Sequence, residues 1–395
     1  MGRTLWKRDT RPVNHRPFIN NRHMKKTIVF LLTLLTLVGC GKRTPKELFD
    51  HTKSGVALIL NKYYYELKMP NGNSLYFTGI SDDGSLENLT GERSEIKSNR
   101  QTLSGTGFFI DKQGTIMTNR HVAQPVIDKE AVKDSYNNLV ASIKAYYAQQ
   151  MNELASAYQS LDIEKSNCYS YDYYGTPYED TEKIQEITNQ QNELEAQFNS
   201  LQAQREALND HVSLDELKIS VVCEVGIAYN NTHVGTDNDV FGKNPCVVTK
   251  VSSKEDTDLA LIQLKDKKTP GEAYVFSTDG KADEGLLDKL IGLFSSHDDD
   301  ILQIDQQLYM IGYNAGPILA NTKKGIQVQM TSGTVTQQPD GDRLLYSIPT
   351  VQGSSGSPVI DSKGRLVAVN YAKLAVSDNF NFGIPLNKVQ AFLKH

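Results

Sequence analysis

The apolar residues of this chain follow three different rhythms. Ile28 to Val38 is a continuous apolar stretch too short to span a bilayer. Ser54-Gly55-Val56-Ala57-Leu58-Ile59-Leu60 is a short apolar run that reads as a first strand. Residues 68–100 are polar and rich in Gly, Asn and Ser, which predicts a long surface loop or extended hairpin. Strand signals resume at Gly107. After His121 the period changes. Tyr136, Val140, Ile143, Tyr147, Leu154, Ala157 and Leu161 recur at three- and four-residue steps. So do Ile184, Ile187, Leu194, Phe198, Leu201 and Leu208, with polar Gln191 and Arg205 at intervening seam positions. These are heptad patterns flanked by Glu, Gln, Lys and Asn, which suit a solvated face. Two such helices joined by one loop should pack antiparallel, each reaching about 35–45 Å. In that loop Tyr169, Tyr171, Tyr173, Tyr174 and Tyr178 crowd around Gly175 and Pro177. Tyrosine offers large contact area at low entropy cost. The loop reads either as a docking site for a protein partner or substrate, or as a cover for the hairpin end.

Composition adds limits. The chain has 395 residues, 39% hydrophobic and 23% charged, which is ordinary for a soluble globular protein. A net charge of −5 gives no case for nucleic-acid binding. No Cys-His cluster has zinc spacing. An acidic insertion over 270–305 ends in His297-Asp298-Asp299-Asp300, which reads as a solvated loop ahead of a metal site. No metal and no cofactor is expected.

The N-terminus carries an address. Met24-Lys25-Lys26 supplies positive charge ahead of the apolar stretch, and Leu37-Val38-Gly39-Cys40 resembles a lipobox. Residues 24–39 therefore read as a bacterial lipoprotein signal, the alternative being an ordinary secretory signal. The resemblance implies cleavage before Cys40 and acylation there, with a lipidated tether over 40–49 and a membrane anchor. Gly41 favours the outer membrane. Residues 1–23 are either a basic extension or a mis-assigned start. Export permits disulfides. Cys223 and Cys246 lie in two strand-like runs and form the candidate pair, leaving Cys168; three free thiols are the other reading.

Three strings carry candidate chemistry: Thr118-Asn119-Arg120-His121-Val122, Asp256-Thr257-Asp258-Leu259-Ala260-Leu261-Ile262, and Gly353-Ser354-Ser355-Gly356-Ser357-Pro358. Each stands beside a strand signal, in the order His, Asp, Ser of the chymotrypsin-type triad. On these strings the chain resembles the trypsin-like serine proteases, and most of all their Deg/HtrA branch. Gly105 to Asp111, Gly114 to Met117, Ile311 to Gly316, Ser332 to Val335 and Phe382 to Asn387 extend the likeness over roughly 50–127 and 215–395. No PDZ domain is expected after them. The resemblance implies a mainly β fold, a chymotrypsin-like double β-barrel, here with an inserted antiparallel coiled-coil hairpin. The expected divisions are 50–127 and 212–270 for the first barrel, 128–211 for the hairpin and 271–395 for the second barrel. It further implies His121 as base, Asp258 as its orienter, Ser355 as nucleophile, and the amides of Gly353 and Ser355 as an oxyanion hole. Asp256, Ser354 and Ser357 are close rivals that the family frame sets aside.

The pocket residues implied are Pro349, Thr350, Gln352, Val369, Asn370 and Tyr371. No carboxylate stands at Pro349, which argues against Lys or Arg at the cleavage site. Asn370 stands where glutamyl endopeptidases carry His, so acidic preference is not expected. The function expected is a serine endopeptidase in the bacterial cell envelope, acting on polypeptides and engaged in protein quality control. The alternative is a protease-like binding lipoprotein working through its helical hairpin. A homo-oligomer is compatible with either.

Overall fold

The computed structural model describes Gly2 and residues 43–69, 72–254, 257–281, 302–373 and 381–394. Cys40 with the signal segment, Asp256, and most of the acidic insertion with His297–Asp300 lie outside the described residues. Helix α1 (Pro45–Thr52) opens on a capping box. The Thr44 hydroxyl accepts from the Glu47 amide, the Glu47 carboxylate accepts from the Thr44 amide, and proline starts the first turn. Leu48 on this helix is fully buried.

Strand β1 (Val56–Lys68) is the spine of the first barrel. Its side chains alternate, as any strand's must. Ala57 and Ile59 enter the barrel interior with Phe109, Ile116, Val225, Ile227 and Ile262. Val56 and Leu58 enter a second core with Phe108, Tyr309, Ile311, Tyr313 and Ile360. Both faces are covered, so the run is continuously apolar and its period of two is invisible in sequence. Strand β1 pairs with β2 (Ser74–Phe77), β3 (Gln101–Phe109) and β7 (Lys218–Tyr229), and the same sheet takes in β4 (Thr115–Thr118), β8 (Pro245–Val251) and β9 (Ala260–Leu264). The ring β1-β3-β4-β9-β8-β7 closes because β7 returns to β1 along twelve paired positions, Ala57 opposite Tyr229 through Lys68 opposite Lys218. The segment 68–100, read as loop or hairpin, supplies β2 on the far end of β1.

The second β-unit, a half-barrel where a full second barrel was expected, uses β10 (Gln307–Gly312), β11 (Gln329–Thr334), β12 (Leu344–Tyr346), β13 (Pro358–Asp361), β14 (Leu366–Lys373) and β15 (Asn381–Pro385). They form one sheet in the order β11-β10-β13-β14-β15-β12, and its two edges meet at a single bridge, Val335 to Tyr346. Leu308, Met310, Tyr346, Ile348, Val359 and Ala368 fill its interior. This mainly β architecture is consistent with a chymotrypsin-like fold.

Between β4 and β7 come α2 (Arg120–Ala123), α3 (Lys129–Ser166), a short ribbon β5 (Tyr169–Tyr171) and β6 (Pro177–Glu179), and α4 (Thr181–Glu206). Asp128 and Asp180 cap the two long helices through their carboxylates. Contacts pair the end of α3 with the start of α4, Glu164 to Lys183 at 3.0 Å, and the middle of α3 with the end of α4, Arg205 Nε donating to Lys144 O at 3.3 Å. The polar seam residues are thus used. Gln191 is buried and accepts from Lys165 at 3.2 Å. Packing concentrates at the root, where Val132, Tyr136 and Val140 meet Tyr65, Leu67 and Phe77.

The cysteine expectation needs correction. Cys168, Cys223 and Cys246 are free thiols. Cys246 stands opposite Val225, which leaves Cys223 two positions along the neighbouring strand. Such diagonal positions lie about 7–8 Å apart, beyond comfortable disulfide reach. Burial pushes the Cys246 thiol up to about 12 and the Cys223 thiol upward as well. In a Cys40→Ala chain kept without reductant, three thiols should titrate with a disulfide reagent after denaturation, and Cys246 should react slowly in the native state at mild alkaline pH. A single titrating thiol after denaturation would restore the disulfide.

Candidate active site

Strand register builds the first half of the site. Antiparallel pairing sets Thr118 of β4 opposite Ala260 of β9, so the residues just past β4 meet those just before β9. Arg120 N–H consequently donates to Asp258 O at 3.2 Å. Asp258, 8% exposed, then turns its side chain to His121. Its Oδ1 accepts the His121 amide at 2.9 Å, and its Oδ2 meets Nδ1 of the ring. The imidazole is half-exposed, and its Nε2 has no hydrogen bond among the described residues.

Two buried asparagines hold this pair. Asn119 Nδ2 donates to Asp258 O at 2.8 Å. Asn61 on β1 donates to Val122 O at 2.9 Å and Ala123 O at 3.0 Å, closing the C-terminal end of the helix that carries His121. The Oδ1 atoms of both are buried and have no hydrogen bond among the described residues. Gly105 makes room for α2, since a Cβ there would stand 2.5 Å from the Val122 side chain.

The second half is the turn before β13. Gly353 and Gly356 have φ of +94° and +84°, a region that glycine enters freely. A Cβ on Gly353 would also stand 2.4 Å from Gly316 N, and one on Gly356 would stand 2.4 Å from Thr118 Oγ1. The turn therefore packs directly on the segment leading to His121. Its three serines differ sharply. Ser354 is 2% exposed, donating to Val351 O at 2.7 Å and accepting from Asn370 Nδ2 at 3.2 Å. Ser357 is fully buried against Gly312. Ser355 is partly accessible, and its hydroxyl has no hydrogen bond among the described residues. The amides alternate too. Those of Ser354, Gly356 and Ser357 are bonded within the protein, whereas those of Gly353 and Ser355 have no acceptor among the described residues.

Thr106 on β3 joins the halves. Its hydroxyl donates to Gly353 O at 2.8 Å and accepts from Tyr313 N at 3.0 Å. Its amide donates to Ser355 O at 2.8 Å, and its carbonyl accepts from Thr118 Oγ1 at 2.7 Å. Sequence reasoning missed this residue, although its place between Gly105 and Gly107 on a strand was a signal of close approach.

The six implied pocket residues divide. Pro349, Gln352 and Tyr371 keep accessible surface, while Thr350, Val369 and Asn370 are buried. Thr350 Oγ1 donates to Asn381 Oδ1 at 2.6 Å. Asn370 accepts from Tyr346 OH at 2.7 Å and donates to Ser354 O at 2.9 Å. Its amide braces the turn that carries Ser355, and its polar atoms are engaged within the protein. Asn381, also unanticipated, donates to Ile348 O at 2.7 Å and fixes the strand before Pro349.

Residues 209–369 match the family model of the trypsin-like peptidase domain. The match supports a trypsin-like serine protease, and polypeptides are the substrates such a domain implies. It includes Asp258 and Ser355 and begins just after α4, so His121 lies outside it. No curated protein matches the chain.

Thr106→Val keeps the shape and removes the hydroxyl, leaving Gly353 O and Tyr313 N unpaired. Stability should fall by about 1–3 kcal/mol in chemical denaturation, and peptidase activity should fall at least tenfold at temperatures where the variant remains folded. Activity equal to wild type would show that the turn holds its shape without this bridge.

Proposed function

We propose that the protein is a serine endopeptidase anchored in the bacterial cell envelope. One observation carries the assignment of the nucleophile. Among the described residues, Ser355 alone of the three serines in the turn combines accessibility with an unbonded hydroxyl, and the amides without an acceptor there are its own and that of Gly353. In this reading Ser355 Oγ attacks a substrate carbonyl and passes its proton to His121 Nε2. Asp258 holds Nδ1, fixing the tautomer and stabilising the imidazolium that forms. The carbonyl oxygen, gaining charge, is received by the Gly353 and Ser355 amides. His121 then protonates the leaving amine, and water repeats the sequence on the acyl-enzyme.

The pocket wall offers no carboxylate at Pro349, and the Asn370 amide is spent internally. Both features favour uncharged side chains at the cleaved residue. Acylation at Cys40 would leave only Gly41 and Lys42 before Arg43, whose amide donates to Ser362 O at 3.1 Å. The peptidase body would therefore sit close against the membrane. The Deg/HtrA likeness extends the proposal to quality control of envelope proteins, with the outer membrane as the site of the anchor.

Hydrolysis of an unfolded protein by the chain from Cys40 onward, without lipid, tests the chemistry. Ser355→Ala and His121→Ala should each lose at least about a thousandfold. Ser354→Ala should stay within about tenfold of wild type, because it removes only the bonds to Val351 and Asn370. Undiminished hydrolysis by Ser355→Ala would refute the proposal.

A further inference from the structure

The tip of the helical pair presents aromatic rings to solvent on a preformed support. Tyr169, Tyr171, Tyr173, Tyr174 and Tyr178 are 51%, 77%, 96%, 88% and 63% exposed. Tyr171, Tyr173 and Tyr174 keep most of their surface in solvent, which favours a docking surface over a cover for the hairpin end. The turn beneath them is closely specified. Asp172 Oδ1 accepts the amides of Tyr174 and Thr176, both at 2.8 Å. Asp172 N donates to Thr176 O at 2.9 Å, and Gly175, at φ +77°, donates to Asp172 O at 3.0 Å. The bonds from Thr176, before the lesser one from Tyr174, hold the Asp172 carboxyl below its ordinary value. Asp180 N donates to Cys168 O at 3.1 Å and ties the ribbon to the helix ends. A preformed turn presents these rings, and tyrosine itself gives large contact area at low entropy cost.

Charge narrows the occupant. Between Asn167 and Glu182 stand Asp172, Glu179, Asp180 and Glu182, with no Lys, Arg or His. Glu179 and Glu182 are exposed. We propose that this tip is a docking surface for a cationic, extended polypeptide segment. Lys or Arg side chains would lie over the exposed ring faces and pair with Glu179 and Glu182. The same charge disfavours nucleic acid and anionic lipid, and it sets two copies of the tip against each other. The inference deepens the peptidase reading and rests on it only for its consequence. Helix α3 starts eight residues after His121 and is about 57 Å long, so the tip would gather chains at a distance from the cleft.

The test separates docking from catalysis by using a Ser355→Ala background in the full chain held in detergent. Binding of a fluorescent Lys/Ser peptide and of a Glu/Ser peptide of equal length is read by anisotropy. The Lys/Ser peptide should bind at least tenfold tighter. A Tyr173→Ser/Tyr174→Ser variant and a Glu179→Lys/Glu182→Lys variant should each weaken it at least tenfold while leaving the helical circular dichroism unchanged. No binding, equal binding of the two peptides, or full affinity in the tyrosine variant would overturn the proposal. Because no cleavage is measured, these outcomes stand whether or not Ser355 proves to be a nucleophile.

Discussion

The hydrogen bonds of Thr106 are what the two halves of the site share. This residue sits on a strand of the first barrel with no exposed surface, and its hydroxyl, amide and carbonyl are all engaged. Three of its four contacts cross to the second β-unit, to Gly353, Ser355 and Tyr313, and the fourth reaches Thr118, three residues before His121. A buried carbonyl or amide deprived of such a partner costs about 1–3 kcal/mol, so the turn that carries Ser355 is held in place relative to the segment that leads to His121. Gly353 and Gly356 complete the fit sterically, because any side chain there would strike Gly316 or Thr118.

The arrangement explains which parts were legible in the sequence. The His, Asp and Ser strings were readable because they combine unusual residue types at fixed short spacings. The long helices were readable because one face repeats apolar residues over several turns. Strand β1 hid its alternation because Val56 and Leu58 face the core between the two β-units while Ala57 and Ile59 face the barrel interior. Long-range hydrogen bonds leave no local trace. Asn61 lies 61 residues from Val122, and Thr106 lies 247 from Gly353. The pairing of Cys223 with Cys246 was plausible from their strands alone. It depended on a register that only the folded sheet fixes. Asn370 showed the same limit, since its burial and its bond to Tyr346 OH turn a pocket residue into a brace.

The helical pair illustrates how a thin element is stabilised and then used. Away from its root it buries few side chains, Ile187 and Gln191 among those of α4. Its cohesion comes from the root packing on β1 and β2, from capping at Asp128 and Asp180, and from cross-links such as Lys144 to Asp210 at 2.7 Å. The more exposed pair of Lys183 with Glu164 contributes little by comparison. A helical pair anchored mainly at its base leaves its tip free to vary without disturbing the packing around Asp258 and His121.

The central proposal is that Ser355, and neither of its neighbours, is a nucleophile activated by His121. The most direct measurement is peptide mapping after reaction with a fluorophosphonate, which bonds covalently to an activated serine. The account predicts a single adduct on Ser355 that forms in wild type and is absent from His121→Ala. An adduct on Ser354 or Ser357, or labelling that persists without His121, would contradict it.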